Sequence, residues 1–281
     1  MRLDHARIIL TGAASGIGAA LLARLAGYPC SVIAADRDAA RLAEAVARLD
    51  PHPATVTTLA GDMGCRDDVD ALFAAGVERL GGVDLFIANA GFAYYERIDR
   101  ADWDRLDALL RVNVISPIYA AEKMAELNAG RPHRTVIVGS AMGRLAIPGY
   151  ALYGASKAAL HRFAEAYWLE LPDPRTLALV YPIGTRTRFF EAGGAHAAAP
   201  HPWPTQTAGQ VAAAIIRGIE RDARAIYPAF LFRLTLAVDR VFPFTRRIEQ
   251  WIEGRRFRKW LDAADPESAV YRRAYRRAAN E

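Results

Sequence analysis

The chain has 281 residues, of which 52% are hydrophobic and 24% charged, so it is neither wholly disordered nor collagen-like. That length suits one α/β domain with an appendage. The net charge is +5, and the two cysteines, Cys30 and Cys65, are too few for a disulfide scaffold or a four-cysteine zinc site, so both are expected as buried small residues and no metal is expected.

In chain order the pattern predicts a strand at 7–11, a helix at 16–26, a strand at 31–35, a helix over about 38–49, a strand at 55–60 and a helix at 67–80. A strand at 83–88, a long helix at 102–127, a strand at 135–138, a helix at 150–170 and a strand at 177–181 follow. Short apolar runs alternating with helices imply parallel strands, right-handed crossovers and helices on both faces. The fold class expected is therefore α/β, a Rossmann-type doubly wound parallel sheet of about seven strands with a C-terminal helical extension. Residues 188–204, with Gly193-Gly194 and Pro200, Pro202 and Pro204, read as a long mobile loop at the substrate. A helix at 207–221 and a short strand at 225–227 close a catalytic unit of residues 1–228, and 229–281 form a helical tail. The first apolar stretch is broken by Thr11-Gly12, which argues against a signal peptide, and no apolar run reaches the roughly 18 residues of a spanning helix. A cytoplasmic protein is expected.

Strand one runs into Thr11-Gly12-Ala13-Ala14-Ser15-Gly16-Ile17-Gly18 and then a helix. Gly12 allows a tight turn, Gly16 lets a pyrophosphate approach the backbone, and Gly18 lets the helix lie close on the sheet. The free amides of Ser15, Gly16 and Ile17 at the helix start then face an anion. Asp36 follows strand two, placed to accept hydrogen bonds from ribose hydroxyls and to repel a 2′-phosphate. Asp38 is the better cap for the next helix, which frees Asp36; Arg37 pulls the other way, since a guanidinium holds a 2′-phosphate. NAD is expected ahead of NADP.

Ser140 ends the fifth strand, and Tyr153 and Lys157 stand four apart, on one face of a helix. An ammonium beside a phenol favours the phenolate, making a general acid/base usable near neutral pH. Only Lys123, Lys157 and Lys259 are lysines among 36 basic residues, so a lysine here answers a need that arginine does not meet.

Together these motifs resemble the classical short-chain dehydrogenase/reductase family over about residues 5–228. The matching residues are Thr11–Gly18, Asp62, Asn89-Ala90-Gly91, Asn113, Ser140 and Tyr153-x-x-x-Lys157. The resemblance implies that Asp62 holds the adenine amino group, with Met63 against the ring. It implies that Asn89, Ala90 and Gly91 pass beside the adenosine ribose, that Asn113 fixes a water near Lys157, and that Lys157 binds the nicotinamide ribose. Pro182, Ile183, Thr185 and Thr187 would meet the nicotinamide amide; Ile183 stands where the family usually has glycine, which would narrow the site. The implied activity is NAD(P)-dependent interconversion of a secondary alcohol and a ketone, with Tyr153 as general acid/base. A nucleotide-sugar epimerase or dehydratase, which shares the Tyr/Lys spacing, and a non-catalytic dinucleotide sensor are the alternatives.

The substrate wall is expected from three stretches, 92–95, 142–150 and 189–203, where Phe92, Tyr94, Met142, Ile147, Phe189 and Phe190 make an apolar set suited to an apolar carbonyl or alcohol. From Arg224 onward there are 13 basic and 7 acidic residues, against 23 and 24 in the rest, so the positive charge belongs to the tail. Its aromatic and apolar residues interleave with arginines over 229–260. Docking on the body or on a second subunit, in a homodimer or homotetramer, is favoured. Peripheral contact with an anionic membrane is the alternative, and nucleic acid is not expected.

Overall fold

The structure is a computed structural model, and it describes residues 1–96, 102–187, 189, 205–242 and 244–264. Its main sheet uses β1 (Arg7–Thr11), β2 (Ser31–Asp36), β3 (Thr55–Ala60), β4 (Leu85–Ala88), β5 (Arg134–Val138), β6 (Leu177–Val180) and β9 (Ala225–Ile226). The order is β3-β2-β1-β4-β5-β6-β9, every neighbouring pair parallel. The chain winds outward from β1 in one direction and from β4 in the other. A crevice therefore opens beyond the C-terminal ends of β1 and β4, where ligands bind in open α/β sheets. A small second sheet pairs β7 (Gly184–Arg186) with β8 (Thr205–Thr207).

Because strand side chains alternate, each strand feeds two cores. Ile8 and Leu10 point to one face, where they meet Leu21 and Leu22 of α1 (Gly16–Leu25), Leu42 of α2 (Ala39–Ala47), and Val211, Ile215 and Ile219 of α7 (Ala208–Glu220). Ile9 points to the other, with Leu72 and Phe73 of α3 (Arg66–Leu80), Met124 of α5 (Ser116–Leu127) and Leu160 of α6 (Ala151–Glu170). These side chains are fully or almost fully buried, and truncating one such leucine to alanine costs about 2–5 kcal/mol.

The helix expected as one piece over 102–127 is interrupted. α4 (Trp103–Leu110) passes into a π-helical turn at Arg111–Ile115 before α5 begins. The turn inserts an extra residue per hydrogen-bonded ring and rotates Asn113 inward, where it is buried. Cys30 is buried as expected, its thiol donating to the Leu25 carbonyl, and burial pushes its pKa up to about 11. Cys65 is not buried: it stands exposed at the N-cap of α3, where a helix start meets solvent.

The tail forms α8 (Phe230–Val241) and α9 (Phe244–Ala264). It rests on the body: Phe232 is buried in the α3–α5–α6 core, and Phe257 and Trp260 pack against Tyr95 and Tyr150. Phe230, Leu234, Phe242, Phe244, Trp251 and Ile252 remain exposed on it.

Candidate active site

The glycine turn leaves β1 and enters α1 at the head of the crevice. Gly12 and Gly16 have φ of +66° and +56°, a left-handed backbone that side chains resist. A Cβ on Gly18 would overlap the Gly12 carbonyl oxygen, so α1 can lie this close only with glycine there. The two helices on either side of β2 begin differently. Asp38 caps α2 by accepting from the Arg41 amide at 3.0 Å, whereas Ser15 at the head of α1 makes no side-chain cap and no acidic residue follows in the first turn. The positive end of α1 is thus open toward the crevice, as an anion requires.

Asp36 braces this turn. Its Oδ2 accepts from the Ala14 amide at 3.0 Å and its Oδ1 from the Asp38 amide at 3.1 Å. Asn89, after β4, donates to the carbonyls of Thr11 and Gly12 at 3.1 Å each, tying the ends of the two central strands together. Asp62 accepts from the Gly64 amide at 2.8 Å, which shapes the turn before α3.

One cavity of about 370 Å³ runs from this turn to the far side of β5. It is lined by Gly12, Ser15, Gly16, Ile17, Asp36, Arg37, Asp62, Met63, Asn89, Ala90 and Gly91 at one end, and by Pro182, Ile183, Thr185 and Thr187 midway. Ser140, Tyr153, Lys157, Phe92, Met142, Ile147 and Phe189 also line it. Three expected site residues do not line it. Gly18 is spent on helix packing. Asn113 is buried behind Gly91, its Oδ1 accepting from the Phe92 amide at 3.1 Å and its Nδ2 donating to the Phe92 carbonyl at 2.8 Å. Tyr94 turns away to an edge contact with Phe92 and to the Arg105 guanidinium, 4.0 Å over its ring. Tyr95, the next residue in this irregular loop, points inward instead. Phe190 and most of the 188–204 loop lie outside the described residues.

Ile183, the departure from the family pattern, lines the cavity and packs on the α3–α5–α6 core. Its carbonyl accepts from Thr185 Oγ1 at 2.9 Å, and buried Gln206 donates to Thr185 Oγ1 at 3.3 Å, so the β7–β8 pair fixes this path. Gly16 lies against Thr187, a Cβ there standing 3.2 Å from the Thr187 methyl, so the cavity is narrow at its middle.

Tyr153 and Lys157 share the inner face of α6. Ser140 caps the turn after β5, accepting from the Met142 amide at 3.1 Å, and its hydroxyl is near enough to the Tyr153 phenol to lower that group's pKa. Lys157 Nζ donates to the Val138 carbonyl at 3.0 Å and lies 5.6 Å from the Tyr153 ring centre. Gly91 keeps the space beside it: a Cβ there would stand 3.7 Å from Nζ and 3.1 Å from Asn113 Oδ1. The sequence led us to expect a phenol lowered by its lysine. In the protein alone burial wins: it pushes Tyr153 up to about 12, against the lowering influence of the Ser140 hydroxyl, and pushes Lys157 down to about 8.

The short chain dehydrogenase family model matches residues 6–196. The chain belongs to the short-chain dehydrogenase family. It is thus an oxidoreductase that acts between alcohol and carbonyl groups with a nicotinamide dinucleotide. An uncharacterized oxidoreductase of Staphylococcus saprophyticus is 31% identical over 166 residues, which cover 58% of this chain and 70% of that protein. A short-chain dehydrogenase from Burkholderia cenocepacia, solved with NADP, is 30% identical with a TM-score of 0.69, covering 81% of this chain and 97% of that one. One from Burkholderia phymatum, solved with NAD, has a TM-score of 0.75 at 23% identity, covering 84% and 93%, and so speaks to the fold.

Leu145, within the expected 142–150 stretch, lines the cavity, and the buried Tyr95 and Tyr150, at the ends of expected stretches, flank it. Residues that the sequence reading missed come from the tail: Leu231, Phe232 and Thr235 of α8 and Glu253 of α9 all line the cavity. No local motif marks them, because they reach the site only through the way the tail folds back.

Proposed function

We propose that this dehydrogenase interconverts an apolar secondary alcohol and its ketone, with Tyr153 moving the proton. The observation that carries this is the Tyr153 phenol, lining one cavity with Ser140 and Lys157 and with the open end of α1.

The residues present suit a dinucleotide: an uncapped helix start without acidic neighbours, a glycine cradle that a Cβ would fill, and a carboxylate at the end of β2. Ser15, Gly16 and Ile17 would take the pyrophosphate through backbone amides, and Asp36 the adenosine ribose. Asp62 and Met63 would hold the adenine, and Asn89, Ala90 and Gly91 would border its ribose. Pro182, Ile183, Thr185 and Thr187 would border the nicotinamide amide, and Lys157 its ribose. When bound, the nicotinamide supplies or accepts the hydride. Ser140 orients the substrate oxygen and Tyr153 Oη gives that oxygen its proton in reduction. With its pKa held up by burial, the phenol keeps that proton across the neutral range and is ready as an acid. Lys157, brought to its charged form, draws the phenol down for the reverse direction. Asn113, its side chain spent on the Phe92 backbone, would complete a proton relay through a water near Lys157.

Asp36 supports NAD ahead of NADP, with Arg37 on the same rim pulling the other way. The apolar wall of Phe92, Met142, Leu145, Ile147 and Phe189 supports an apolar substrate. The set Asn113, Ser140, Tyr153 and Lys157 argues against a sensor, and the arginine- and aromatic-rich composition of the tail against a sugar-binding segment of the epimerase kind. Residues 1–228 then act as the catalytic unit, a homodimer or homotetramer covers the exposed tail aromatics, and a membrane surface is the rival cover. A panel of apolar ketones assayed with both NADH and NADPH tests the reading; no oxidation of either cofactor by any of them would overturn it.

A further inference from the structure

The substrate end of the cavity is closed by a part of the chain beyond the family match, which ends at residue 196. Leu231 and Thr235 of α8 and Glu253 of α9 face into it. One turn past Glu253, Phe257 and Trp260 stack with ring centres 5.8 Å apart, and both meet Tyr95 edge-on, at 6.0 and 4.6 Å. Tyr95 in turn lies 4.7 Å from Tyr150, and Tyr150 lies 6.2 Å from Tyr153. An unbroken run of rings thus joins α9 to the proton-bearing phenol. The body is shaped to receive it: Gly149 has φ +86°, and a Cβ there would run into the Tyr95 ring.

Charge adds a second feature. The cavity's other carboxylates, Asp36, Asp38 and Asp62, belong to the adenosine end. Glu253 is the one carboxylate among the described residues that lines the substrate end, and its side chain is only 20% exposed. Its partner Arg256, 2.7 Å away, is 48% exposed and does not line the cavity, so solvent weakens its compensation while the cavity side stays negative.

We propose that α9 is the specificity wall of this site: Phe257 and Trp260, packed on Tyr95 and Tyr150, hold the lining residues Met142, Ile147 and Phe189 against a flat apolar substrate, and Glu253 turns away substrates that carry a carboxylate or phosphate. The substrate class is then uncharged or cationic apolar carbonyl compounds and their alcohols. Phe257 and Trp260 act through Tyr95 and are positioning residues. Rejection by a like charge is specificity by repulsion rather than by added attraction. The inference rests on the oxidoreductase reading only for which end of the cavity holds substrate.

The test uses the full chain saturated with oxidised dinucleotide, which binds a ketone without turning it over. Calorimetry compares a phenyl alkyl ketone with the same ketone bearing a ring carboxylate. The wild type is expected to bind the neutral ketone at least about tenfold more tightly, and Glu253→Gln to close that gap to about threefold by tightening the carboxylated one. Trp260→Ala is expected to weaken the neutral ketone about tenfold with dinucleotide affinity kept, and Trp260→Phe to recover most of it. A gap that Glu253→Gln leaves in place, a Trp260→Ala variant that binds the neutral ketone as well as wild type, or a wild type that binds neither ketone overturns the proposal. Where Trp260→Ala also loses the dinucleotide, the fold is damaged and Glu253→Gln decides. Ketones that bind as expected but are never reduced refute the oxidoreductase reading and leave the wall standing.

Discussion

The ammonium of Lys157 sits 5.6 Å from the centre of the Tyr153 ring while donating to the carbonyl oxygen of Val138. The strand end thus fixes the lysine before any ligand does, and α6 fixes the phenol relative to it. Both groups are shifted by burial in the direction that disfavours charge, the phenol up to about 12 and the amine down to about 8.

Burying this amine leaves a pH signature in stability. Below about pH 8 the folded protein carries a charge it holds at a cost, while the unfolded lysine stays protonated up to about 10.5. Between those values the unfolded chain binds more protons, so this group adds stability as pH rises. Lys157→Met in the dinucleotide-free protein is expected to be the more stable form at pH 7, by up to a few kcal/mol, with the difference shrinking toward pH 10. Thermal unfolding at both pH values reads this; a difference that does not change with pH would falsify the burial argument.

Asp36→Ala is expected to narrow or reverse a preference for NADH over NADPH, by about tenfold, since one negative charge near a 2′-phosphate is removed. The same substitution removes the acceptor for the Ala14 and Asp38 amides, so some stability is lost with it. Asp36→Asn, which keeps one acceptor, separates the two effects. Fluorescence titration of both cofactors decides, and a wild type that prefers NADPH would give the ranking to Arg37.

Asn113→Ala is expected to cost stability as well as turnover. It removes both side-chain bonds that hold the Phe92 backbone and leaves part-buried backbone groups unpaired, a loss of about 1–3 kcal/mol. Turnover lost with the melting temperature unchanged would show that this clamp carries no weight.

Truncation after residue 228 is expected to destabilise the protein, because it bares Tyr95 and Tyr150 and vacates the seat of Phe232. Phe232→Ala alone is expected to cost about 3–5 kcal/mol. Phe230, Phe242, Phe244 and Trp251 on the outer side still need a cover. Light scattering that shows a dimer, with Trp251→Arg making it monomeric, supports a second subunit. Salt-sensitive binding of the monomer to anionic vesicles supports a membrane instead.

The sheet and the nucleotide end were legible because they depend on local signals: alternation in β1, glycines at turns, Asp36 at a strand end. Tyr153 and Lys157 were legible through helical spacing, since i and i+4 share a face. The π turn around Asn113 was not, because Arg111–Ile115 carries the same apolar residues as an ordinary helix and only its packing against Phe92 and Ser156 shows the extra rotation. Tyr94 and Tyr95 exchanged places, since an irregular loop after β4 gives no period from which to judge facing. Glu253, Phe257 and Trp260 were read as a basic aromatic tail, and their place beside Tyr95 depends on a return of the chain that no short-range pattern encodes.

The central claim is proton transfer by Tyr153 coupled to hydride transfer, and the most direct measurement is deuterium transfer from a reduced dinucleotide deuterated at C4 to an apolar ketone. Wild type is predicted to place deuterium on the carbinol carbon. Tyr153→Phe, with cofactor affinity kept, is predicted to be slower by at least about 10²-fold, the lower range for loss of general acid catalysis. A Tyr153→Phe variant that forms deuterated alcohol at near wild-type rate, or a wild type that forms none from any apolar ketone, would contradict the account.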